Sequence, residues 1–339
     1  MVGLVLVCIL AGGVLLAVGA VYERLAEARF ARRHPAPGRL VDIGGRRLHI
    51  LCKGAAPGPT VVIEQGAASP SVVWWPIQNQ ASAFARVCTY DRAGYQWSDP
   101  GPAQRSLRDR ADDLHRLLKS AEVPGPYILV GHSYGGAISR VFALAYPAEV
   151  VGLVLVDAPE EAVIFRDAYA LYVRRFLQLV SVGKAVARVG VVRLLMGAMS
   201  RPEGAMTAEI NEAMVGFISD PAFGAPLRDE LESLSRAQPD LLAAGQPDAL
   251  GDRPLVVITH EKPFPGPAAL LEPGWLEGQH RLAALSTQGK LVVASESSHM
   301  IQAEEPELVL DAIRWVHDQV TADAAPPKPR PRAAAAGRP

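Results

Sequence analysis

Hydrophobic and polar positions follow three different rhythms along the chain. Residues 2–22 contain no charged side chain, and as a helix rising about 1.5 Å per residue such a stretch spans roughly the 30 Å hydrocarbon core of a bilayer. Residues 39–53 alternate around Gly44-Gly45 and predict a hairpin. Short apolar runs follow at 60–64, 87–90, 127–130 and 151–156, and again at 255–259 and 291–294, each of a length that predicts a buried strand. Between them, residues 106–121 place Leu107, Ala111, Leu114, Leu117 and Leu118 at helical spacing, and Ser106 with Asp109 form a capping-box pattern at the start. Strands alternating with helices predict a mainly parallel sheet covered on both faces.

The rhythm changes at residue 158. Up to about residue 253 no strand pattern occurs, and apolar residues recur at helical spacing through 169–182, 185–199 and 207–218, which predicts an inserted helical lid. Pro306, at a first helical turn, opens a last amphipathic helix running to Val320. The expected organisation is therefore an anchor at 1–22, a linker at 23–38, the first part of an α/β core at 39–157, the lid at 158–253, the second part of the core at 254–322 and a disordered tail at 323–339. No repeat of 20 to 50 residues is present, which excludes a solenoid or propeller.

Composition narrows the function. Thirty-four Lys and Arg against 35 Asp and Glu leave a formal charge of −1, so no global field draws the protein onto a nucleic acid. Cys8, Cys52 and Cys88 lie in no zinc-ligand spacing and are too few for a disulfide framework. The hydrophobic fraction of 49% is high for a soluble enzyme, and part of the excess is concentrated in the first 22 residues. That segment predicts a membrane anchor. Arg24, Arg29, Arg32 and Arg33 follow it, and the positive-inside rule then favours a cytoplasmic C-terminal domain. The alternative is a signal peptide cut after small residues such as Val18 and Ala20, which would release a secreted domain; the basic start of such a peptide is missing.

The sharpest chemical signal is Gly131-His132-Ser133-Tyr134-Gly135, a G-x-S-x-G sequence between a predicted strand and a predicted helix. A serine on so tight a turn is held at the top of the sheet, and the flanking glycines allow a backbone approach that a Cβ would block. Ser133 is the candidate nucleophile. The bland alternative is a glycine-rich turn that binds an anion at a helix N-terminus.

From these residues the chain, over about 39–320, resembles the α/β-hydrolase superfamily. Tyr90-Asp91-Arg92-Ala93-Gly94-Tyr95-Gln96-Trp97-Ser98 is similar to that family's YDRxGxGxS segment, with Gln96 where a third glycine is usual; the role there is structural. A serine hydroxyl needs a base to take its proton and a carboxylate to orient that base. The resemblance implies His299, after the last strand, as the base. The acid is less regular: the family commonly carries it after the seventh strand, where this chain has His260-Glu261-Lys262-Pro263. Asp157, at the end of the sixth strand, is the expected acid, and Glu261 is the alternative. Backbone amides of Ala67, in the Glu64-Gln65-Gly66-Ala67 loop, and of Tyr134 are the expected oxyanion-hole donors. His260 and His280 can line a pocket but lie in no motif, while His49, His115, His132 and His317 are expected to serve packing or face solvent.

The expected activity is hydrolysis of a carboxylic ester through an acyl-enzyme on Ser133, without metal or cofactor. An epoxide hydrolase or dehalogenase needs an aspartate at position 133. Amide or lactone hydrolysis, acyl transfer, a lyase using the same residues and a binding protein on this fold are the alternatives. The lid segments 176–180 and 191–196 are apolar with single basic interruptions. They predict either plain packing on the core, or an acyl channel or bilayer-facing surface with Arg174, Arg175, Arg188 and Arg193 toward phosphates. The substrate class is thus a small ester or lipid-like molecule, and the partner is the membrane. Cys52 and Cys88 fall on strands that neighbour each other in the family's sheet and are expected as two buried thiols.

Overall fold

The computed structural model describes residues 1–200 and 206–324; the tail expected at 323–339 lies, beyond Ala324, outside the described residues. Eight strands form one sheet in the order β1-β2-β4-β3-β5-β6-β7-β8. A hairpin begins it: β1 (Arg39–Asp42) and β2 (Arg47–Lys53) pair antiparallel with Asp42 opposite Arg47. Gly44 and Gly45 both take positive φ in the turn, which a side chain would resist, and their amides donate to Asp42 Oδ1 at 2.8 and 3.0 Å. From β3 (Thr60–Glu64) onward the sheet is parallel.

The remaining elements alternate around that sheet: α2 (Trp75–Ala81), β4 (Arg86–Tyr90), α3 (Leu107–Ser120), β5 (Tyr127–His132), α4 (Tyr134–Ala145) and β6 (Val150–Val156). The Ser106–Asp109 capping box opens α3, with both reciprocal hydrogen bonds made. After the insertion come β7 (Leu255–His260), α11 (Trp275–Ala283), β8 (Gly289–Ala294), α12 (Ile301–Glu304) and α13 (Pro306–Ala324). Strands β3, β5 and β7 are buried along their whole length, as their unbroken apolar runs require when both faces are covered.

The insertion holds α5 (Glu161–Ile164), α6 (Asp167–Ala187), α7 (Val191–Met199), α8 (Ala208–Ser219), α9 (Gly224–Arg236) and α10 (Gln238–Ala244). Two boundaries differ from expectation. The helix predicted at 169–182 runs on to Ala187, and the break falls at Gly190, whose left-handed φ of 75° ends one helix and starts the next. The stretch 23–38, expected as a linker, is helical to Arg33 as part of a continuous α1 (Val2–Arg33). Its Ala, Leu, Glu and Arg residues are strong helix formers, and it docks on the lid. Glu23 is buried against Arg193, with Oε2 3.0 Å from Nε, and Phe30 packs where a Cβ on Gly216 would sit. Arg193 is thereby paired inside the protein and does not face phosphates as expected.

One further expectation is corrected. Cys52 and Cys88 are not two thiols but a disulfide. The β2–β4 register sets them directly opposite each other, which brings the two Cα atoms to 4.0 Å. Cys8 on α1 is the free cysteine.

Candidate active site

At the end of β5 the chain turns so sharply into α4 that Ser133 takes φ 49°, ψ −123°. A non-glycine residue at positive φ is strained, and such strain is held only where the surroundings impose it. Here β6 imposes it, because the Ser133 amide donates to Val156 O at 3.0 Å. The neighbouring glycines are required by space. A Cβ on Gly135 would lie 2.1 Å from the Glu64 carbonyl oxygen, and one on Gly131 would meet Gly136 Cα at 2.6 Å.

The structure brings Ser133, His299 and Asp157 into one hydrogen-bonded row. His299 Nε2 lies 2.9 Å from Ser133 Oγ, and His299 Nδ1 lies 2.6 Å from Asp157 Oδ2. Asp157 follows β6 with a φ of 47°. It is fully buried and takes further hydrogen bonds from Trp275 Nε1 at 2.8 Å and from the His260 amide at 3.3 Å, both to Oδ1. Burial alone would favour its neutral form, but the hydrogen bonds and charges of His260 and His299 outweigh this and hold it well below the usual carboxylate range. Glu261, the alternative acid, is exposed, and no hydrogen bond links it to His299 among the described residues.

A second histidine joins the site. His260 Nδ1 lies 2.7 Å from the same Asp157 Oδ2 and its Nε2 lies 3.4 Å from Glu272 Oε2. Burial would lower its pKa, yet hydrogen bonding and charge from Asp157, then Glu272, raise it. The sequence holds no motif for His260 or Trp275. The signal that finds the histidine is topological: β6 and β7 are parallel neighbours, with Val156 opposite Ile258, so their C-terminal ends open on the same place. His280 is instead exposed on α11. The ligand-capable atoms of Asp157, His260 and His299 lie within 4.8 Å of one another. Both Nδ1 atoms lie at hydrogen-bond distance from one Asp157 oxygen, so each ring already donates its Nδ1–H to that carboxylate.

His132 is buried beneath the serine, and burial followed by the proximity of His299 lowers its pKa to about 3. It is therefore neutral, and its Nε2–H donates to the His299 carbonyl oxygen at 2.9 Å. A residue assigned to packing thus fixes the backbone of His299.

The loop after β3 is held from below. Arg92 donates through Nη1 to Gln65 O at 2.5 Å and through Nη2 to Gly66 O at 2.7 Å, and its guanidinium is paired with Glu64 and Glu230. The Tyr95 hydroxyl receives the Ala68 amide at 3.1 Å and reaches Glu230. With the Gln65 and Gly66 carbonyls turned toward Arg92, the Ala67 amide is left without an acceptor among the described residues, and so is the Tyr134 amide at the start of α4. Asp91 is tied to His49 Nδ1 at 2.8 Å and to the Ser71 amide at 2.9 Å, a structural role.

Ala67, Ser133, Tyr134 and His299 open on a cavity of about 290 Å³. Its other walls are apolar: Tyr169, Tyr172 and Phe176 from α6, Leu227, Leu231 and Leu234 from α9, and Phe264, Leu271 and Trp275 beside β7.

Residues 59–189 match the model of the α/β-hydrolase fold family, a segment that includes Ser133 and Asp157. The YqjL protein of Bacillus subtilis is 34% identical over 115 residues, which is 34% of this chain and 46% of that protein. Three curated relatives, YqjL among them, are matched over only 18 to 46% of their own length. The structure of a thermophilic esterase from Thermogutta terrifontis superimposes with a TM-score of 0.60 at 21% identity, covering 83% of this chain and 97% of that one. That of a membrane phospholipase A, a bacterial virulence factor, superimposes with a TM-score of 0.63 at 17% identity, covering 94% of this chain and 98% of the other. The family model matched over residues 59–189, the mostly parallel eight-stranded sheet and the strand-to-helix turn at Ser133 agree: the chain has the α/β-hydrolase fold.

Proposed function

We propose that the protein is a membrane-anchored serine hydrolase that cleaves a carboxylic ester with an apolar acyl group. The observation that carries this is the His299 Nε2 contact to Ser133 Oγ at 2.9 Å on the wall of an apolar cavity. In this reading His299 takes the Ser133 proton as the oxygen attacks the ester carbonyl. Asp157 keeps the ring in its tautomer and stabilises the imidazolium. The negative charge formed on the carbonyl oxygen is met by the amides of Ala67 and Tyr134, which have no competing acceptor among the described residues. His299 then returns the proton to the leaving alcohol, and water attacks the acyl-enzyme by the same route in reverse. Fold neighbours described as an esterase and a membrane phospholipase A support the reaction class.

The anchor reading rests on α1, the one helix among the described residues long and apolar enough to cross a bilayer. The test is labelling of the full chain, in detergent, with a fluorophosphonate, followed by peptide mapping. Modification of Ser133 that disappears in His299→Ala supports an activated serine. A folded protein that stays unlabelled, or is labelled equally without His299, overturns the reading. An ester series from acetyl to dodecanoyl then reads the cavity: rates rising to medium chains fit its apolar walls, and rates independent of length do not.

A further inference from the structure

The lid carries an apolar edge that faces no part of the protein. In α7 no residue is buried, and Val191, Leu194, Leu195 and Met199 recur at i, i+3, i+4 and i+8, one face of a helix. Leu194, Leu195 and Met199 are exposed at 59, 57 and 75%, and Leu179 and Val182 at the end of α6 at 65 and 64%. Outside α1 the other exposed large hydrophobics, such as Leu40, Leu144, Leu276 and Val293, fall on separate elements, as scattered surface residues do.

The place of this edge is set by α1. The charge-free apolar run of α1 meets the lid near its end: a Cβ on Gly19 would strike Val189 O at 2.5 Å, and Tyr22 fills the space beside Gly190. One residue later the buried Glu23–Arg193 pair locks α7 to α1. The charge-free stretch of α1 also ends at Tyr22, so α7 is fixed at the level where a spanning helix leaves the hydrocarbon. Lys184, Arg188 and Arg24 are exposed around that junction, where cations meet lipid phosphates.

We propose that the end of α6 and the outer face of α7 are seated in the headgroup–acyl boundary of the bilayer crossed by α1. The inference rests on the reading of α1 as a membrane span, and it extends the proposed activity to a lipid ester taken from that bilayer. One helix links the two places. Phe176 is in the cavity wall and Leu179, less than one turn further along α6, lies on the seated edge.

The experiment uses the full chain in phosphatidylcholine–phosphatidylglycerol vesicles, with an environment-sensitive fluorophore on one cysteine at a time and spin-labelled lipids as quenchers. The native Cys8 reports the span; Leu195→Cys and Leu144→Cys, each with Cys8→Ser, report the edge and a control at the far end of α4. Severalfold lipid quenching at positions 8 and 195 with none at 144 is expected. Quenching at 8 but not at 195 overturns the docking and leaves the span standing. A position 195 shielded from both lipid and aqueous quenchers, with cross-linking between copies, means that a second chain covers the edge and also overturns it. No quenching at position 8 removes the premise. In the triple variant Leu194→Ser, Leu195→Ser, Met199→Ser, hydrolysis of vesicle-borne long-chain esters is expected to fall at least tenfold while that of a soluble butyrate ester is unchanged. Fluorophosphonate labelling of Ser133 on the same samples separates failure of this inference from failure of the hydrolase reading.

Discussion

The two carboxylate oxygens of Asp157 receive hydrogen bonds from Trp275, from the His260 backbone and from both rings, His260 and His299. A carboxylate so fully used cannot be replaced by a neutral amide without presenting an N–H where a ring N–H already points. Asp157→Asn is therefore expected to reduce kcat by about ten-thousandfold, the order seen when the orienting aspartate of a serine protease is made an asparagine, while Glu261→Gln leaves kcat within about twofold. Steady-state kinetics beside far-UV circular dichroism check both. His260 gives a pH signature of the opposite sense to that of an ordinary paired acid. Its pKa is raised on folding, so its contribution to stability is complete below the unfolded value of about 6.5 and is lost as pH rises through the higher folded value. The difference in Tm between the native protein and His260→Asn is expected to be largest near pH 5.5 and to narrow toward pH 9; a gap that widens with pH contradicts the assignment.

At the scale of elements, what the sequence made legible is what a local pattern can encode. The alternation at 39–53, the capping box at Ser106 and the Gly-x-Ser-x-Gly turn each state a geometry within a few residues, and each is found where the pattern puts it. His260, Trp275 and Arg92 were not legible as parts of the site, because their roles depend on which strands are neighbours and on a lid helix, α9, that supplies Glu230 from far along the chain. The linker failed for a related reason: the helical composition of residues 23–33 was visible, but the lid surface that steadies it was not. Gln96 departs from the family's segment. The residue stands where the family has glycine and takes φ 43°, a conformation that costs an L-residue about 1–2 kcal/mol. Glycine relieves that strain but is costlier to order by about 0.5–1 kcal/mol. Gln96→Gly is thus expected to stabilise the fold by roughly 0.5–1 kcal/mol, read as a raised midpoint in urea with an unchanged slope.

For the whole molecule read as anchored through α1, the disulfide and the basic flank of that helix point to opposite sides of the membrane. Arg24, Arg29, Arg32 and Arg33 follow the apolar stretch, and such a bias holds the flank on the cytoplasmic side. Cys52 and Cys88 are joined, and disulfides of this kind persist in oxidising compartments and are rare where glutathione and thioredoxin keep thiols reduced. The flank is not a free cluster of charge, however. Residues 23–33 are helix docked on the lid, and Arg33 lies 3.6 Å from Glu212, so part of the positive bias is met by the domain itself. The disulfide joins β2 to β4, where Cys52 and Cys88 stand directly opposite each other. The hydrolase domain is accordingly expected on the oxidising side. Alkylation of the protein in denaturing detergent, straight from cells quenched in acid and before any reduction, should modify Cys8 alone, with two more thiols released by reductant, and protease added to intact cells from outside should reach the lid. Three alkylated thiols together with a protected domain would show instead that the basic flank sets the orientation, with Cys52 and Cys88 reduced in the cytoplasm.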